Sequence, residues 1–317
     1  MKIAVIHDYA DAFRRTGAWA RLQGHEVSVD TGTRTDLERL AQSEALVLTQ
    51  QRVRVTRELL ERLPRLEFIS QTGRNVHHLD LAACAARGIV VSAGAPPAGD
   101  PYSPTAELTW GLIVASLRHL PYEAERLRKG HWQSTVGTRL AGRTLGIYAF
   151  GHIGAAVARV GRAFGMNVLC WGREGSSARA RAEGFAVAAG REAFFESADV
   201  LSLHLPANAQ TRGIVGPADL ARMKPEALLV NTSRAAIIAE GALVGALARG
   251  RPGFAAVDVY EDEPVVGAGH PLLGMRNALC TPHLGYVERD TLERMYGVAV
   301  DQLLAFAAGK PINVVSS

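Results

Sequence analysis

Short apolar runs alternate with amphipathic stretches along most of the chain, a pattern typical of a parallel sheet covered by helices. The predicted strands of a first series are residues 2–6, 26–29, 45–48, 68–70 and 89–91. Stretches of helical period, such as residues 56–62, separate these strands. The first series therefore predicts a small α/β unit.

A second series of strands follows a break in the pattern. Residues 93–101 form a loop rich in Gly and Pro, and a helix is predicted after it over residues 104–127. The predicted strands of the second series are residues 144–150, 167–171, 200–204, 227–231, 254–258 and 278–281. These strands predict a six-stranded doubly wound sheet, followed by a helix over 288–308 that returns to the first unit.

The predicted fold class is α/β, with two Rossmann-like doubly wound parallel-sheet domains and a cleft between them. A length of 317 residues suits two domains better than one. We place residues 1–99 together with 287–317 in the first domain, and residues 100–286 in the second. The first domain is thus predicted to be discontinuous.

Composition excludes several classes of protein. Hydrophobic residues make up 48% and charged residues 21%, and the apolar runs are far shorter than a membrane span. The chain enters its first strand without a secretory signal pattern, so we expect a cytoplasmic protein. The net charge of +4 is small and the arginines are scattered, which argues against a nucleic-acid partner but suits an anionic substrate.

Three cysteines, Cys84, Cys170 and Cys280, lie far apart in apolar runs. Such spacing favours neither a disulfide framework nor a zinc site, so we interpret them as core residues and predict no metal site.

A glycine pattern fills the turn between the first strand of the second series and the next helix. Gly151 lets the backbone approach a pyrophosphate and Gly154 lets helix meet strand, while Ala149 stands where the fingerprint has its first glycine. His152 and Ile153 lie between the glycines. Gly-rich turns also close ordinary strand–helix units, but this placement favours an anionic dinucleotide at the helix N-terminus. The second domain is therefore predicted to be a dinucleotide-binding Rossmann domain.

The end of the next strand is where an NAD-preferring site has an acidic residue. In this chain that position is occupied by Gly172. Arg173 follows it, and its guanidinium suits the 2′-phosphate of NADP, with Ser176 and Ser177 as further donors. NADP(H) is therefore favoured over NAD(H). The alternative is that Arg173 stacks on the adenine or faces solvent, and that Glu174 contacts the ribose.

Five motifs in this order resemble the D-isomer-specific 2-hydroxyacid dehydrogenases, a family that includes glyoxylate/hydroxypyruvate reductases and D-lactate, formate and phosphoglycerate dehydrogenases. The motifs are residues 146–154, 202–206 with Thr211, 230–234, 258–264 and 281–285. They follow successive predicted strands, and the carboxyl ends of such strands are where ligands sit in this architecture. The resemblance covers nearly the whole chain.

The resemblance and the chemistry of carbonyl reduction together indicate a catalytic set. The reaction needs a cation for the substrate carboxylate, a proton donor for the nascent alkoxide, and an anion beside that donor. Arg234 suits the first role, His283 the second and Glu263 the third. Taken singly, each would be interpreted as an ordinary loop or surface residue, and only their combination favours catalysis.

The resemblance also implies cofactor contacts for residues that follow other strands. These are His204, Leu205, Pro206, Thr211, Thr232, Ser233, Asp258 and Gly285, with Thr105 starting a helix beneath the cofactor. Asp258 would equally serve to turn the chain after its strand. The helix near Thr105 is a dimer element in the family, although it also fits a buried core, and a homodimer is expected.

In the family, a loop of the first domain presents backbone N–H groups to the substrate carboxylate. Here that loop contains Gly73, Arg74 and Asn75, and Arg234 and His283 would contact the same substrate. Asn75 replaces a common glycine, but asparagine tolerates the left-handed conformation. The first domain is thus expected to be a flavodoxin-like substrate-binding domain.

Arg52, Arg54 and Arg74 either read a second anionic group of the substrate or remain solvated. Without a clear phosphate clamp, the leading hypothesis is a glyoxylate/hydroxypyruvate reductase-like enzyme that transfers hydride between NAD(P)H and a small 2-keto or D-2-hydroxy acid. One alternative is an NAD-dependent dehydrogenase of a bulkier or phosphorylated D-2-hydroxy acid. Another is a non-catalytic dinucleotide-sensing protein.

Overall fold

Two units, each built on a parallel sheet, make up the computed structural model. It describes residues 1–34, 36–94 and 103–315. The first unit is Met1–Asp100 with Val287–Ser317, and the second is Pro101–Tyr286. Most of the predicted loop at 93–101 lies outside the described residues.

The first unit carries a parallel sheet with strand order β2-β1-β3-β4-β5 in the described residues. Its strands are β1 (Lys2–Ile6), β2 (Glu26–Val29), β3 (Ala45–Leu48), β4 (Phe68–Gln71) and β5 (Val90–Ala93). All residues of β3 and β4 are buried, as expected for central strands covered on both faces. The predicted five strands are confirmed, with the last two ending slightly later than expected.

Helices cover both faces of this sheet. They are α1 (Gly17–Ala20), α2 (Leu37–Leu40), α3 (Arg57–Glu61), α4 (Leu81–Ala86) and the C-terminal α12 (Arg289–Ala307), with a 3₁₀ turn at Phe13–Arg15. In α12, Phe306 stacks on Phe68 with ring centroids 4.4 Å apart, and the hydroxyls of Tyr296 and Thr49 lie 3.2 Å apart. The final helix therefore completes the core of the first unit.

A seven-stranded parallel sheet forms the second unit, in the order β12-β11-β10-β9-β6-β7-β8 among the described residues. Its strands are β6 (Thr144–Tyr148), β7 (Asn167–Trp171), β8 (Ala186–Val187), β9 (Val200–Leu203), β10 (Leu228–Asn231), β11 (Phe254–Val257) and β12 (Ala278–Cys280). The predicted count of six strands was wrong, because β8 has only two residues and shows no periodicity that a sequence pattern could reveal.

Helices also cover the second sheet. They are α5 (Pro104–Leu117), α6 (Leu120–Arg128), α7 (His152–Ala163), α8 (Glu174–Ala182), α9 (Arg191–Ser197), α10 (Pro217–Arg222) and α11 (Ala242–Ala248), with 3₁₀ turns at Ala235–Ile237 and Pro271–Gly274. The single helix predicted over 104–127 was wrong. His119 is left-handed, with φ of 51°, and Pro121 lies in the first turn of α6, so the chain restarts a helix there.

All strands of the second sheet run parallel, so their carboxyl ends share one edge, with β9 and β7 on either side of the central β6. At such an edge the connections leave in opposite directions and open a crevice for ligands. None of the helices in the described residues has the length and apolar character needed to span a membrane.

Candidate active site

The turn after β6, which begins at Ala149, is tight and brings the start of α7 close to the end of the strand. Ala149 adopts φ of 75°, a left-handed conformation that costs a non-glycine residue about 1–2 kcal/mol. A Cβ on Gly154 would lie 2.3 Å from the carbonyl oxygen of Ala149, so only glycine fits at that position. Helix α7 therefore starts in direct contact with the turn.

The start of α7 fits the phosphates of a dinucleotide. Gly151 is the N-cap and offers no side-chain hydrogen bond, so the N–H groups that begin the helix, including those of His152, Ile153 and Gly154, are not capped by a side chain. A Cβ on Gly151 would meet no atom of the described residues within 4 Å, which leaves open space in front of these donors. Uncapped donors at the positive end of a helix are suited to a pyrophosphate.

The segment after β7 carries the residues predicted to read the adenosine ribose. Arg173 is exposed and immediately precedes α8. Ser177 is buried and donates its hydroxyl to the carbonyl of Gly172 at 3.3 Å, so that proton is already used. Glu174 pairs with Arg181 at 2.8 Å. Arg173 is thus the charged group of this segment that remains exposed and outside any ion pair in the described chain.

The connection after β9 is held by local hydrogen bonds. His204 Nε2 lies 2.9 Å from the Ser202 hydroxyl, and burial lowers the pKa of His204 to about 4, which keeps the ring neutral at physiological pH. Thr211 donates its hydroxyl to the carbonyl of Pro206 at 2.5 Å. Leu205 is buried in the core, so the segment lies against the sheet edge in a fixed conformation.

After β10, three predicted residues follow one another. Thr232 is buried with its hydroxyl 2.8 Å from that of Thr109 on α5, and Ser233 donates to Asn231 Oδ1 at 2.8 Å. Arg234 is exposed and donates from Nη1 to the carbonyl of Ser233 at 2.7 Å. The chain therefore holds the arginine at the sheet edge with a solvent-facing guanidinium.

Asp258 follows β11 and is fully buried. Its Oδ1 accepts from the Thr281 hydroxyl at 2.6 Å and from Leu284 N at 2.7 Å, and its Oδ2 accepts from Gly285 N at 2.8 Å. Burial raises the pKa of this carboxyl, and the hydrogen bonds offset only part of that effect. Asp258 thus holds the loop that follows β12 from both sides of His283.

Gly285 sits in a narrow space. A Cβ at this position would lie 3.3 Å from Asp258 Oδ2 and 3.3 Å from Thr105, and its carbonyl accepts from the Thr105 hydroxyl at 2.9 Å. Thr105 lies in the first turn of α5, so that helix also restrains the loop.

His283 and Glu263 are in contact. His283 Nδ1 lies 2.5 Å from Glu263 Oε2, and Glu263 Oε1 accepts from Tyr260 N at 2.9 Å. Burial opposes ionisation of Glu263, but the hydrogen bond and charge of His283, aided by Arg234, outweigh it and leave the pKa of Glu263 lowered. A carboxylate thus faces the imidazole, and His283 Nε2 forms no hydrogen bond within the described chain.

The backbone also constrains His283, which is left-handed with φ of 53°. Such a conformation is uncommon outside glycine and is kept only where the surroundings impose it. Here Asp258 binds the residues on either side of the histidine, and Tyr260 donates its hydroxyl to the carbonyl of Thr281 at 3.0 Å.

The predicted substrate loop belongs to the first unit and follows β4. Gly73 is buried, and a Cβ there would lie 3.2 Å from Gln50 Oε1. Asn75 is not left-handed, although asparagine tolerates that conformation, and its Oδ1 accepts from His77 N at 3.2 Å. Arg74 is exposed.

Two residues that hold this site were not predicted from the sequence. Tyr260 and Thr281 lie within the motifs that carried the resemblance, yet no role followed from their types alone. Only the folded backbone shows that the Thr281 hydroxyl reaches Asp258 and that Tyr260 bonds both Glu263 and residue 281.

Comparison with known proteins identifies the fold and chemistry of this edge. Residues 110–285 match the family model of the D-isomer specific 2-hydroxyacid dehydrogenase, NAD binding domain. The chain belongs to this family. It is accordingly a dinucleotide-dependent oxidoreductase that acts on 2-keto and D-2-hydroxy acids, as the motifs predicted.

Relatives carry two kinds of name. A glyoxylate reductase of Aeropyrum pernix is 37% identical over 273 residues, which is 83% of this chain and 80% of the relative. A D-3-phosphoglycerate dehydrogenase of Methanocaldococcus jannaschii is 32% identical over 289 residues, 90% of this chain but 54% of the relative. The chain thus spans about half of that second dehydrogenase.

A solved structure agrees over the full fold. It is described as a candidate D-3-phosphoglycerate dehydrogenase oxidoreductase of Ralstonia solanacearum and is 49% identical, with a TM-score of 0.93 over 99% of this chain and 96% of that chain. The prediction of two parallel-sheet α/β domains of this family is therefore confirmed.

Proposed function

We propose that this dehydrogenase reduces a small 2-keto acid of the glyoxylate or hydroxypyruvate type, and oxidises the matching D-2-hydroxy acid in reverse. The observation that carries the proposal is the 2.5 Å contact between His283 Nδ1 and Glu263 Oε2. A carboxylate on one imidazole nitrogen favours the protonated ring and leaves the other nitrogen to transfer a proton.

The residues of the second unit divide the work. Arg234 holds the substrate carboxylate with its exposed guanidinium. His283 donates a proton from Nε2 to the nascent alkoxide, and in reverse the neutral ring accepts it. Glu263 stabilises the imidazolium, and Asp258 fixes the loop that carries it. When bound, the nicotinamide supplies the hydride.

We assign the same division of labour to the two units as the sequence suggested. The second unit would hold the dinucleotide through the turn 149–154 and the connections after β7, β9, β10 and β11. The first unit would bind substrate, with backbone N–H groups around Gly73, Arg74 and Asn75 facing the carboxylate. The burial of Gly73 against Gln50 supports a fixed backbone there.

A second candidate substrate is a phosphorylated D-2-hydroxy acid, favoured by the names of the M. jannaschii and R. solanacearum proteins. Of the three candidate arginines for such a phosphate, Arg52 is already engaged. Arg52 donates to the carbonyl of His7 and lies over the ring of Tyr9 at 4.6 Å, so its guanidinium is occupied by its own unit.

The test is a reduction assay with glyoxylate, hydroxypyruvate and phosphorylated hydroxypyruvate, each with NADH and NADPH. We expect the first two to give kcat/KM at least about tenfold above the phosphorylated acid. The reverse order would favour the second candidate. Binding of dinucleotide without turnover of any of these acids would overturn both.

His283→Asn tests the proton donor, because asparagine tolerates the left-handed backbone that His283 adopts. We expect kcat to fall by about 10²–10⁴-fold, with the Kd for dinucleotide nearly unchanged. His270→Asn is the matched control, since His270 also pairs with a glutamate, Glu261, at 2.9 Å. Equal loss of turnover in both variants would refute the assignment.

We also propose that the enzyme prefers NADPH, because Arg173 is exposed at the ribose-reading position and Gly172 has no acidic side chain. Arg173→Ala should weaken NADPH by about tenfold and NADH by less than twofold, since only NADPH carries the 2′-phosphate. Fluorescence titration of both dinucleotides measures this. Equal weakening would contradict the phosphate contact.

We infer a homodimer formed through α6 and the segment that follows it. The exposed apolar side chains of this stretch are Leu120, Tyr122, Leu127, Trp132 and Val136. A contiguous apolar stretch of this kind is typical of a protein interface. The buried side of α5 packs inside its own unit, which supports α6 rather than the start of α5 as the contact.

The three free cysteines support a reducing, cytoplasmic location.

A further inference from the structure

The turn at Ala149 and Phe150 is bonded to a helix outside the glycine motif. Phe150 N donates to the Ser176 hydroxyl oxygen at 2.6 Å. The Arg179 guanidinium donates to the carbonyl of Phe150, from Nε at 3.2 Å and from Nη2 at 3.1 Å. Both peptide groups of Phe150 are therefore held by α8, through two residues that we call the α8 clamp, Ser176 and Arg179.

This chain needs such a restraint because of the residue before Phe150. Ala149 is left-handed, with φ of 75°, at the position where the fingerprint has a glycine. Glycine adopts that conformation freely, whereas alanine relaxes out of it unless its neighbours prevent this. Ala149 N is itself bonded to the carbonyl of Trp171 at 2.8 Å. The α8 clamp restrains the next residue, on which the direction of the turn depends.

Gly172 connects the clamp to the ribose-reading position. A Cβ on Gly172 would lie 2.9 Å from Ser176 Oγ and 3.5 Å from Ala149 Cα. The space that an acidic side chain would enter is therefore taken by the serine that holds the turn. Ser176 therefore both holds the turn and leaves no room for an acidic side chain at position 172.

We propose that Ser176 and Arg179 are positioning residues that hold the strained Ala149–Phe150 turn in the form that accepts the dinucleotide pyrophosphate. The proposal rests on the proposed role of this turn as the pyrophosphate site. It assigns Ser176 to the turn and not to the 2′-phosphate, so NADH and NADPH should depend on it equally.

The direct test uses the cofactor-free protein. Ser176→Ala and Arg179→Met should speed hydrogen exchange of the Phe150 amide and raise the Kd of both NADH and NADPH by about five- to tenfold. Arg181→Met is the matched control, because Arg181 lies on the same helix and pairs with Glu174. Thermal melting checks that each variant is folded.

Rescue separates strain relief from a general structural effect. Ala149→Gly, added to Ser176→Ala with Arg179→Met, should restore both dinucleotide affinities to within about twofold of the parent protein. Loss without rescue would overturn the proposal. Unchanged affinities, or a loss confined to NADPH, would overturn it as well.

Gly151→Glu distinguishes this failure from that of the site itself. It places a carboxylate in the open space before α7, so it should abolish binding of both dinucleotides. If Gly151→Glu abolishes binding while the clamp variants do not weaken it, only the clamp proposal is overturned. If Gly151→Glu binds normally, the turn is not the pyrophosphate site and both proposals fall.

Discussion

At the scale of single residues, the site depends on a histidine held in an uncommon backbone conformation. His283 is left-handed, and the buried Asp258 bonds Thr281 on one side of it and Leu284 and Gly285 on the other. Removing the Asp258 carboxylate would release the loop that carries His283 from these hydrogen bonds, and His283 itself would remain. Orientation of His283 is thus a property of several residues, whereas the proposed proton transfer would belong to His283 alone.

Glu263→Gln tests the role of the facing carboxylate. Glutamine keeps the size and the hydrogen bond but removes the charge that favours the protonated imidazole. Because the pKa of Glu263 is lowered, the wild type should keep this negative charge well below neutral pH, and kcat of the variant should be lower across that range. A pH profile of kcat checks this.

Asp262→Asn is the control for that profile, since Asp262 is the neighbouring carboxylate in the same segment. It should leave the profile in place. An unchanged profile in Glu263→Gln would show that the charge of Glu263 does not contribute to turnover.

Some residues of the site could be predicted from the sequence and others could not. The types and order of Arg234, Glu263 and His283 suffice to pair a carboxylate with the imidazole, and the two side chains are in contact in the structure. Their catalytic roles stay predictions. The bonds of Tyr260 and Thr281 depend on backbone direction in irregular loops, which residue type does not encode.

At the scale of elements, strands were easier to predict than interruptions. The apolar runs at β1 and β3 coincide with the strands, because buried parallel strands need largely apolar residues. Strand β8 is too short for any periodicity, and the break between α5 and α6 depends on the left-handed His119. Both features are set by tertiary packing, which local patterns do not contain.

Asp199→Asn tests a carboxylate that ties two strands together. Asp199 precedes β9, accepts from Thr144 N at 2.7 Å and pairs with Lys224 at 2.8 Å. Burial opposes its ionisation, but these contacts prevail and lower the pKa of Asp199. The variant should lose about 1 kcal/mol of stability at pH 7, since asparagine keeps the shape but not the charge.

The sign of the pH dependence follows from that lowered pKa. The contribution of Asp199 is fully present above the unfolded pKa of about 4 and is lost as pH falls through the folded value. Urea unfolding at several pH values should therefore show a constant difference in unfolding free energy between wild type and variant from about pH 5 to about pH 7. That difference should shrink below about pH 4. A difference that grows in acid would contradict this assignment.

At the scale of the whole molecule, the exposed apolar segment predicts self-association. Trp132 is 78% and Val136 92% exposed. Trp132→Ser with Val136→Ser should weaken dimerisation by at least about tenfold in sedimentation equilibrium, because buried aromatic residues dominate such interfaces. Val266→Ser, which alters another exposed apolar side chain, is the control. A wild-type protein that sediments as a monomer at high concentration would refute the dimer.

The C-terminal helix gives the molecule a particular order of assembly during translation. Helix α12 supplies Met295, Tyr296, Val300 and Leu303 to the core of the first unit, although that unit begins at Met1. A nascent chain emerging from the ribosome therefore completes the continuous second unit while the first still exposes the apolar face of β4 that α12 will cover. Strand β4 is thus fully packed only after the much later α12 has been synthesised, and this face is where chaperones would be needed.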